Sequence, residues 1–139
     1  MPSVLLVEDH QADIALTKKA FVLLYPDFDL FVAIDGIEAM QFLRQEGKYQ
    51  SAPIPDIILL DLNMPRKSGR EVLADLTQLP KLRQIPVIVL TTSSAVNDVQ
   101  GAYQLCANSY IVKPVGFEAF KDVIQQIVEY WFHVSMLPS

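Results

Sequence analysis

Acidic, hydroxyl and ammonium side chains stand at the ends of short apolar runs in this sequence. Glu8 and Asp9 follow SVLLV, Asp61 follows IILL, Thr91 ends a run of β-branched residues, and Lys113 follows SYIV. A carboxylate at the end of a buried run is costly unless a partner or a chemical role compensates for it. These positions are therefore the first candidates for a functional site.

The three carboxylates suit a hard cation. Acidic groups a few ångströms apart repel each other, so at neutral pH they take up protons or hold a cation. Mg²⁺ prefers oxygen ligands and is commonly held by one or two carboxylates together with a phosphate, and the sequence has no His/Cys cluster for zinc. Lys113 could neutralise an anion beside the metal, and the Thr91 hydroxyl could donate a hydrogen bond to it. This set predicts a cation site at which Asp61 accepts a phosphoryl group.

Five apolar runs predict the strands that position these side chains. They cover residues 3–7, 29–34, 56–61, 86–92 and 109–112. Unbroken apolar runs are typical of strands buried on both faces, as in a parallel sheet. Ligands of such open α/β sheets bind beyond the carboxyl ends of the strands, so the polar residues should meet at one edge.

The segments between the runs have helical periodicity. The predicted buried stripes are Ala12, Leu16, Ala20 and Leu23; Ile37, Met40 and Phe42 or Leu43; Val72, Leu73 and Leu76; Val99, Ala102, Tyr103 and Cys106; and, in a fifth helix from about Phe117, Phe120, Ile124, Ile127 and Trp131. Alternating strands and helices predict one α/β domain over residues 1–139, a (βα)5 doubly wound parallel sheet.

Composition limits the function classes. A net charge of −5 argues against a nucleic-acid-binding surface. No apolar run approaches the roughly 20 residues of a membrane span, so we expect no membrane partner. Cys106 is the single cysteine and no signal-peptide pattern precedes the first strand, which predicts a cytoplasmic protein.

The motifs LLVEDH, LLDLNMPRKSG, VLTT and SYIVKP, in this order and spacing, resemble the receiver domain of two-component response regulators, the CheY-like fold. The resemblance covers essentially the whole chain and implies a flavodoxin-like sheet of strand order 2-1-3-4-5. It implies that Asp61 accepts a phosphoryl group from the phosphohistidine of a sensor histidine kinase. By the same resemblance the protein is not an enzyme but a phosphoacceptor switch without an output domain, which catalyses only its own Mg²⁺-dependent phosphorylation and slow dephosphorylation.

The resemblance also implies the metal ligands. Glu8, Asp9, Asp61 and the backbone carbonyl of Asn63 would arrange Mg²⁺, with Mn²⁺ as the alternative ion. The sequence departs from the family pattern at Glu8, where many members have aspartate, and at Thr92, where a small alanine is common.

The resemblance implies three further roles and a backbone feature. Lys113 would contact the phosphoryl group, and Thr91 would reorient toward it. Tyr110 would be an aromatic switch that turns inward when Thr91 moves. A cis peptide bond between Lys113 and Pro114 would aim the lysine into the site.

A narrower resemblance concerns the partners. PRKSGREVL, NSYIVKPVGFEAF and EYWF are most similar to the small regulators paired with cyanobacterial phytochromes, which implies a phytochrome as the kinase and signalling through a downstream protein. Apolar residues surround much of the last helix, including Val123, Val128, Tyr130, Phe132 and Val134. We therefore expect a homodimer through the fourth helix, fifth strand and fifth helix, with a frayed C-terminal tail as the alternative.

Two other functions remain open at this point. A phosphatase of the haloacid-dehalogenase type would also use an aspartyl phosphate, but it has a second aspartate where this sequence has Asn63. A pseudo-receiver would bind partners without phosphorylation, which the complete acidic set disfavours.

His10 is expected near solvent at the start of the first helix, and His133 has no predicted role.

Overall fold

The computed structural model describes residues 2–138, in which strands and helices alternate as predicted. The strands are β1 Ser3–Val7, β2 Asp29–Ala33, β3 Ile57–Leu60, β4 Val87–Thr91 and β5 Ser109–Val112. The α-helices are α1 Gln11–Leu24, α2 Gly36–Arg44, α3 Gly69–Thr77, α4 Val96–Gln104 and α5 Phe117–Val128.

All strand pairs are parallel, and the sheet order is β2-β1-β3-β4-β5. The predicted fold class and strand order are confirmed. From β1 the chain moves outward to β2, whereas from β3 it continues in the opposite direction to β4 and β5. The strand order therefore reverses between β1 and β3, which is where open α/β sheets bind their ligands.

Helices cover both faces of the sheet, which explains the unbroken apolar strands. Leu5 and Val7 of β1 pack in a cluster with α2, α3 and α4. Val4 and Leu6, which alternate with them, pack in a second cluster with α1 and α5. Because successive side chains point to opposite faces, a strand covered on both sides needs apolar residues at every position.

The buried stripe of α1 differs from the prediction. Leu23 is 59% exposed, and the buried positions are Ile14, Thr17, Ala20 and Phe21. This set keeps helical spacing but is rotated about the axis. It includes a threonine, whose hydroxyl donates to the Asp13 carbonyl oxygen at 2.8 Å. A polar residue that is satisfied by its own helix can be buried, and hydrophobicity alone does not reveal it.

The prediction that Cys106 is a core residue was also wrong. Of the predicted α4 stripe, Ala102 is buried, whereas Tyr103 and Cys106 are exposed. Helix α4 ends at Gln104, and Cys106 follows with a positive φ of 70°. The Ala107 N–H donates back to the Ala102 carbonyl oxygen at 3.0 Å. This is a left-handed helix ending, which turns the Cys106 side chain out of the helical stripe.

The C-terminal segment is helical and packed. The α5 stripe of Phe120, Ile124 and Ile127 is buried as predicted. A π-helix, Glu129–Val134, follows α5, and the Phe132 ring lies 4.9 Å from the Phe28 ring, centroid to centroid. The alternative of a frayed tail therefore does not describe residues 129–134. Among residues 2–138, no helix is long and apolar enough to cross a membrane.

Helix α3 begins directly beneath the loop that carries Asp61. The Gly69 N–H donates to the Leu62 carbonyl oxygen at 3.0 Å, and a Cβ atom on Gly69 would lie 2.1 Å from the Asp61 carbonyl oxygen. Ser68 caps α3 and forms a capping box with Glu71. The start of α3 is thus held against the loop that carries Asp61, and no space remains for a side chain on Gly69.

We expect Gly69→Ala to lower the free energy of unfolding by about 3 kcal/mol, because backbone must move to relieve the clash. Denaturant unfolding measures this loss. Gly101→Ala is the matched control, since a Cβ on Gly101, within α4, meets nothing within 4 Å. That control should be neutral or stabilising by up to about 1 kcal/mol, and similar losses in both variants would contradict the prediction.

Candidate functional site

The carboxyl ends of β1 and β3 bring three acidic side chains together. Glu8 and Asp9 follow β1, and Asp61 follows β3. Main-chain hydrogen bonds extend the sheet into these positions: Glu8 N–H donates to the Ala33 oxygen at 2.9 Å, and Asp61 N–H to the Val7 oxygen at 3.0 Å. One carboxylate oxygen from each acid lies within 4.8 Å of the others. The structure therefore brings the predicted acids into one cluster.

Lys113 reaches this cluster from β5. Its main-chain N–H donates to the Thr91 carbonyl oxygen at 2.7 Å, and its ammonium lies 2.5 Å from Glu8 Oε1 and 3.4 Å from Asp61 Oδ2. The predicted cis bond to Pro114 was wrong, because no peptide bond among residues 2–138 is cis. The intrinsically favoured trans bond suffices, since the long side chain spans the distance.

Burial makes Glu8 and Lys113 depend on each other. Burial raises the pKa of Glu8 from 4.5 to about 7, and the neighbouring Asp61 adds to the rise, while the hydrogen bond from Lys113 opposes it. Burial alone would lower the pKa of Lys113, but bonds to Asp13 and Glu8 and the charge of Asp61 raise it above its ordinary value. The side chains of Glu8 and Lys113 are only 2% and 6% exposed. Lys113 therefore compensates for the buried charge of Glu8, while Asp13 and Glu8 together compensate for that of Lys113.

Asp61 is the least constrained of the buried site groups. Its oxygens accept two long contacts of 3.4 Å, from the Asn63 N–H and from the Lys113 ammonium. It faces an open cavity of about 390 Å³ that is lined by Asp9, His10, Asp13, Asp61, Asn63, Thr92 and Lys113. Its carboxylate can therefore be approached from solvent.

Thr91 carries an unsatisfied polar atom beside this site. Its side chain is fully buried, and Thr91 Oγ1 has no hydrogen-bond partner within the described part of the chain. A buried hydroxyl without a partner costs free energy. It is a donor that an anion bound nearby could engage.

These residues fit a divalent cation. The oxygen-only donor set and the mutual approach of three carboxylates match the ligands that hard divalent cations prefer. Asn63 lines the same cavity, and its main-chain N–H lies 3.4 Å from Asp61 Oδ1. Among residues 2–138, the Lys113 ammonium is bonded to two of these three acids, Glu8 and Asp61.

A polar network that the sequence analysis missed runs from the site toward Tyr110. Arg70 of α3 donates to Asp98 Oδ1 at 2.5 Å and, at 3.4 Å, to Asn63 Oδ1. Asp98 also accepts from the Ser93 hydroxyl at 2.5 Å, and the half-buried Tyr110 donates its hydroxyl to the Ser93 carbonyl oxygen at 2.8 Å. Tyr110 is therefore bound to the loop that follows Thr91. Arg70 and Asp98 are 28 residues apart, and no sequence spacing indicated that they pair.

Asp13 is a second residue that the sequence analysis missed. Its carboxylate accepts from the Lys113 ammonium at 2.8 Å and lies 3.2 Å from the His10 ring. The available signal was its place in the first turn of α1, four residues after Asp9. His10 is exposed and precedes α1 as predicted. His133 lies 3.5 Å from Glu129 in the C-terminal π-helix.

The fold and this site together indicate the class of protein. The chain has a doubly wound sheet with an acidic cluster, a hydroxyl and a lysine at the carboxyl edge of that sheet. Residues 4–125 match the response regulator receiver domain family, and the chain belongs to that family. Response regulator Rcp1 of Synechocystis sp. is 43% identical over 136 residues, which are 98% of this chain and 92% of Rcp1.

Two solved structures are similar over nearly their whole length. One is the phosphorylated cyanobacterial phytochrome response regulator RcpA, with a TM-score of 0.95, 43% identity and 99% of each chain covered. The other is the Mn²⁺-bound form of Rcp1, with a TM-score of 0.92, 42% identity and 100% of each chain covered. The predicted receiver family and its narrower resemblance to phytochrome regulators are confirmed. This protein is a response regulator receiver, a phosphoacceptor switch whose family signals through phosphorylation.

Proposed function

We propose that Asp61 is the phosphoacceptor and that phosphorylation changes the surface through which the protein binds a partner. The observation that carries this proposal is the position of Asp61, loosely bound and facing an open cavity between the acidic cluster and Lys113. The test is incubation of the protein with Mg²⁺ and acetyl phosphate, followed by mass spectrometry for a labile phosphoryl adduct. Family membership favours this function over the phosphatase alternative.

In the transfer step, an oxygen of the Asp61 carboxylate attacks the donor phosphorus. The new O–P bond forms as the P–N bond of the phosphohistidine breaks, and the departing imidazole takes up a proton. Lys113, whose Nζ lies 3.4 Å from Asp61 Oδ2, stabilises charge on the phosphoryl oxygens. The chain's contribution is mainly orientation and charge, as expected for phosphoryl transfer.

Glu8, Asp9, Asp61 and the Asn63 backbone carbonyl would hold Mg²⁺, with Mn²⁺ as an alternative. When bound, the cation neutralises negative charge between the carboxylates and the incoming phosphoryl group. The Mn²⁺-bound form of Rcp1 supports a divalent cation, as do the three acids within 4.8 Å of one another.

Cation affinity should depend on pH through Glu8. Its pKa is raised to about 7, and a protonated ligand cannot bind the cation, so Mg²⁺ affinity should fall by up to about tenfold per pH unit below that value. Isothermal titration calorimetry at several pH values measures this. Glu8→Gln cannot ionise and should bind more weakly, with a much smaller pH dependence below 7. Equal affinity at pH values on both sides of 7 in the wild type would contradict the assignment.

We propose that Thr91 and Tyr110 transmit the change. Phosphorylation adds about two negative charges and three acceptor oxygens at Asp61, and the unsatisfied Thr91 hydroxyl is a donor that can turn toward them. Movement of Thr91 would shift the following loop, to which Tyr110 is bound through the Ser93 carbonyl. The equilibrium between two arrangements of that loop would then move with phosphorylation.

The proposed partners are a sensor histidine kinase, a phytochrome by analogy with RcpA, a downstream protein and a second copy of the chain. The proposed location remains the cytoplasm, where the exposed Cys106 thiol would stay reduced.

The dimer would use α4, β5 and α5. This face carries exposed apolar side chains and a cavity of about 490 Å³ beside β5 and α5, whose apolar lining includes Ile111, Val123, Ile127, Tyr130 and Trp131.

Tyr130→Ala should weaken the proposed dimer by about thirtyfold, because exposed interface aromatics often contribute about 2 kcal/mol. Sedimentation equilibrium across a concentration series measures the dissociation constant. Val22→Ala, on helix α1 outside the proposed α4, β5 and α5 face and 70% exposed in the wild type, is the control and should leave the constant unchanged. A wild-type mass that stays monomeric at every concentration would exclude the dimer.

A further inference from the structure

The Lys113 ammonium already faces three carboxylates. Its Nζ lies 2.5 Å from Glu8 Oε1, 2.8 Å from Asp13 Oδ2 and 3.4 Å from Asp61 Oδ2. A lysine ammonium has three N–H donors, so each of them has an acceptor in this arrangement. The longest contact is the one to Asp61, where the phosphoryl group is proposed to be attached.

Asp13 is held in place by a rigid element. It lies in the first turn of α1, its N–H donates to the His10 carbonyl oxygen at 3.0 Å, and its own carbonyl accepts from Thr17. Its carboxylate lines the site cavity. It does not belong to the group of carboxylates, Glu8, Asp9 and Asp61, that approach within 4.8 Å of one another in residues 2–138. Its contacts are thus to Lys113 and His10 rather than to the proposed cation position.

We propose that Asp13 is a positioning residue that holds the Lys113 ammonium in its resting place and competes for it with the phosphoryl group on Asp61. The inference rests on the proposed function. A phosphoryl group at Asp61 brings three acceptor oxygens, so an ammonium whose donors are all used must give up a contact to bind it fully.

Asp13 is the contact that yields most easily. Glu8 is 2% exposed and would be left as a buried, unpaired charge, whereas Asp13 is 20% exposed and borders the open cavity. Water can replace the ammonium at Asp13 at lower cost than at Glu8. Asp13 therefore sets how strongly an anion at Asp61 must attract Lys113 before the lysine turns to it.

Beryllofluoride binding tests this competition, because beryllofluoride occupies an aspartyl-phosphate site without chemical turnover. Calorimetric titration at saturating Mg²⁺ would compare the wild type, Asp13→Asn, Asp13→Ala and Glu118→Gln. Both Asp13 variants should bind beryllofluoride about tenfold more tightly, since a donor is released and a nearby like charge is removed. Glu118 is 80% exposed on α5 and bonds Lys121, so its variant should match the wild type. A merely structural role for Asp13 would lower affinity rather than raise it.

A second readout separates release of the lysine from a simple change in charge. The Lys113 ammonium, 6% exposed and bonded to three carboxylates, should exchange its protons with water slowly in ¹⁵N-lysine-labelled wild type. Asp13→Asn should speed that exchange, and unchanged exchange would overturn the positioning role.

The remaining outcomes also decide the question. Unchanged or weaker beryllofluoride binding in both Asp13 variants, with normal binding by the wild type, would overturn the inference alone. Failure of the wild type to bind would overturn the proposed function with it. If Asp13→Asn weakened Mg²⁺ binding without beryllofluoride as much as Asp9→Asn, Asp13 would be a cation ligand and the inference would be wrong.

Discussion

Asp61→Asn is expected to abolish phosphoryl uptake from acetyl phosphate or a phosphorylated kinase, with a loss of at least about a thousandfold in rate. An amide has no negatively charged oxygen with which to attack phosphorus. We expect no other acid of the cluster to replace it: Glu8 is bound to the Lys113 ammonium at 2.5 Å and is buried. Asp9 is the remaining acid of the cluster, but among residues 2–138 the Lys113 ammonium contacts Glu8, Asp13 and Asp61 and not Asp9.

Intact-mass spectrometry over a time course measures the adduct, and alkaline hydroxylamine should remove it, as expected of an acyl phosphate. Asp27→Asn is the matched control, because Asp27 is an exposed aspartate outside the site cavity and should leave the rate unchanged. A stable adduct on Asp61→Asn, or equal uptake by both variants, would place the acceptor elsewhere. Peptide mapping would then identify it.

Strand positions and the acidic cluster could be predicted from the sequence because each depends on a local signal. The β1, β3 and β4 strands are apolar except for the terminal residues Ser3 and Thr91, as expected of strands buried on both faces. Parallel strands align their carboxyl ends, so the residues that follow β1 and β3 had to approach each other. For this reason Glu8, Asp9 and Asp61 could be grouped before their distances were known.

The remaining site contacts depend on side-chain placement that no local pattern encodes. Asp13 meets Lys113 across 100 residues, and Arg70 meets Asp98 across 28 residues. Both pairings follow from how α1, α3 and α4 sit on the sheet. The acidic or basic character of these residues is equally typical of a solvated helix surface.

Errors in the helical stripes have a related cause. Thr17 is buried because its hydroxyl bonds within α1, and Cys106 is exposed because it is itself the left-handed residue that ends α4. Hydrophobicity ranks the two residues the other way round. Backbone hydrogen bonds, rather than side-chain polarity, decide these positions.

Lys113→Met should destabilise the protein, and the loss should grow as pH rises above about 7. The substitution keeps the apolar stem but removes the cation beside Glu8, which is 2% exposed. Breaking a buried ion pair by removing one partner costs about 3 kcal/mol or more, because the other charge is left uncompensated. Glu8 can avoid that cost only by taking up a proton.

The sign of the pH dependence follows from the raised pKa of Glu8. In the wild type this pKa rises from 4.5 to about 7 on folding, so the folded state binds the proton more tightly than the unfolded state does. The stability that this proton contributes is lost as pH rises from 4.5 to about 7. Without Lys113 the hydrogen bond and the positive charge that lower the pKa of Glu8 disappear, so its folded-state pKa should move above 7. The variant then continues to lose stability, by up to about 1.4 kcal/mol per pH unit, where the wild type has levelled off.

Denaturant unfolding without divalent cations, in buffers from about pH 6 to about pH 9, measures both curves. The double variant Glu8→Gln with Lys113→Met is the control, because a glutamine cannot ionise and the extra slope above pH 7 should vanish. A deficit that stays constant over the whole range would mean that Lys113 stabilises the fold through its stem rather than its charge. A slope that persists in the double variant would mean that Glu8 is not the titrating group behind it.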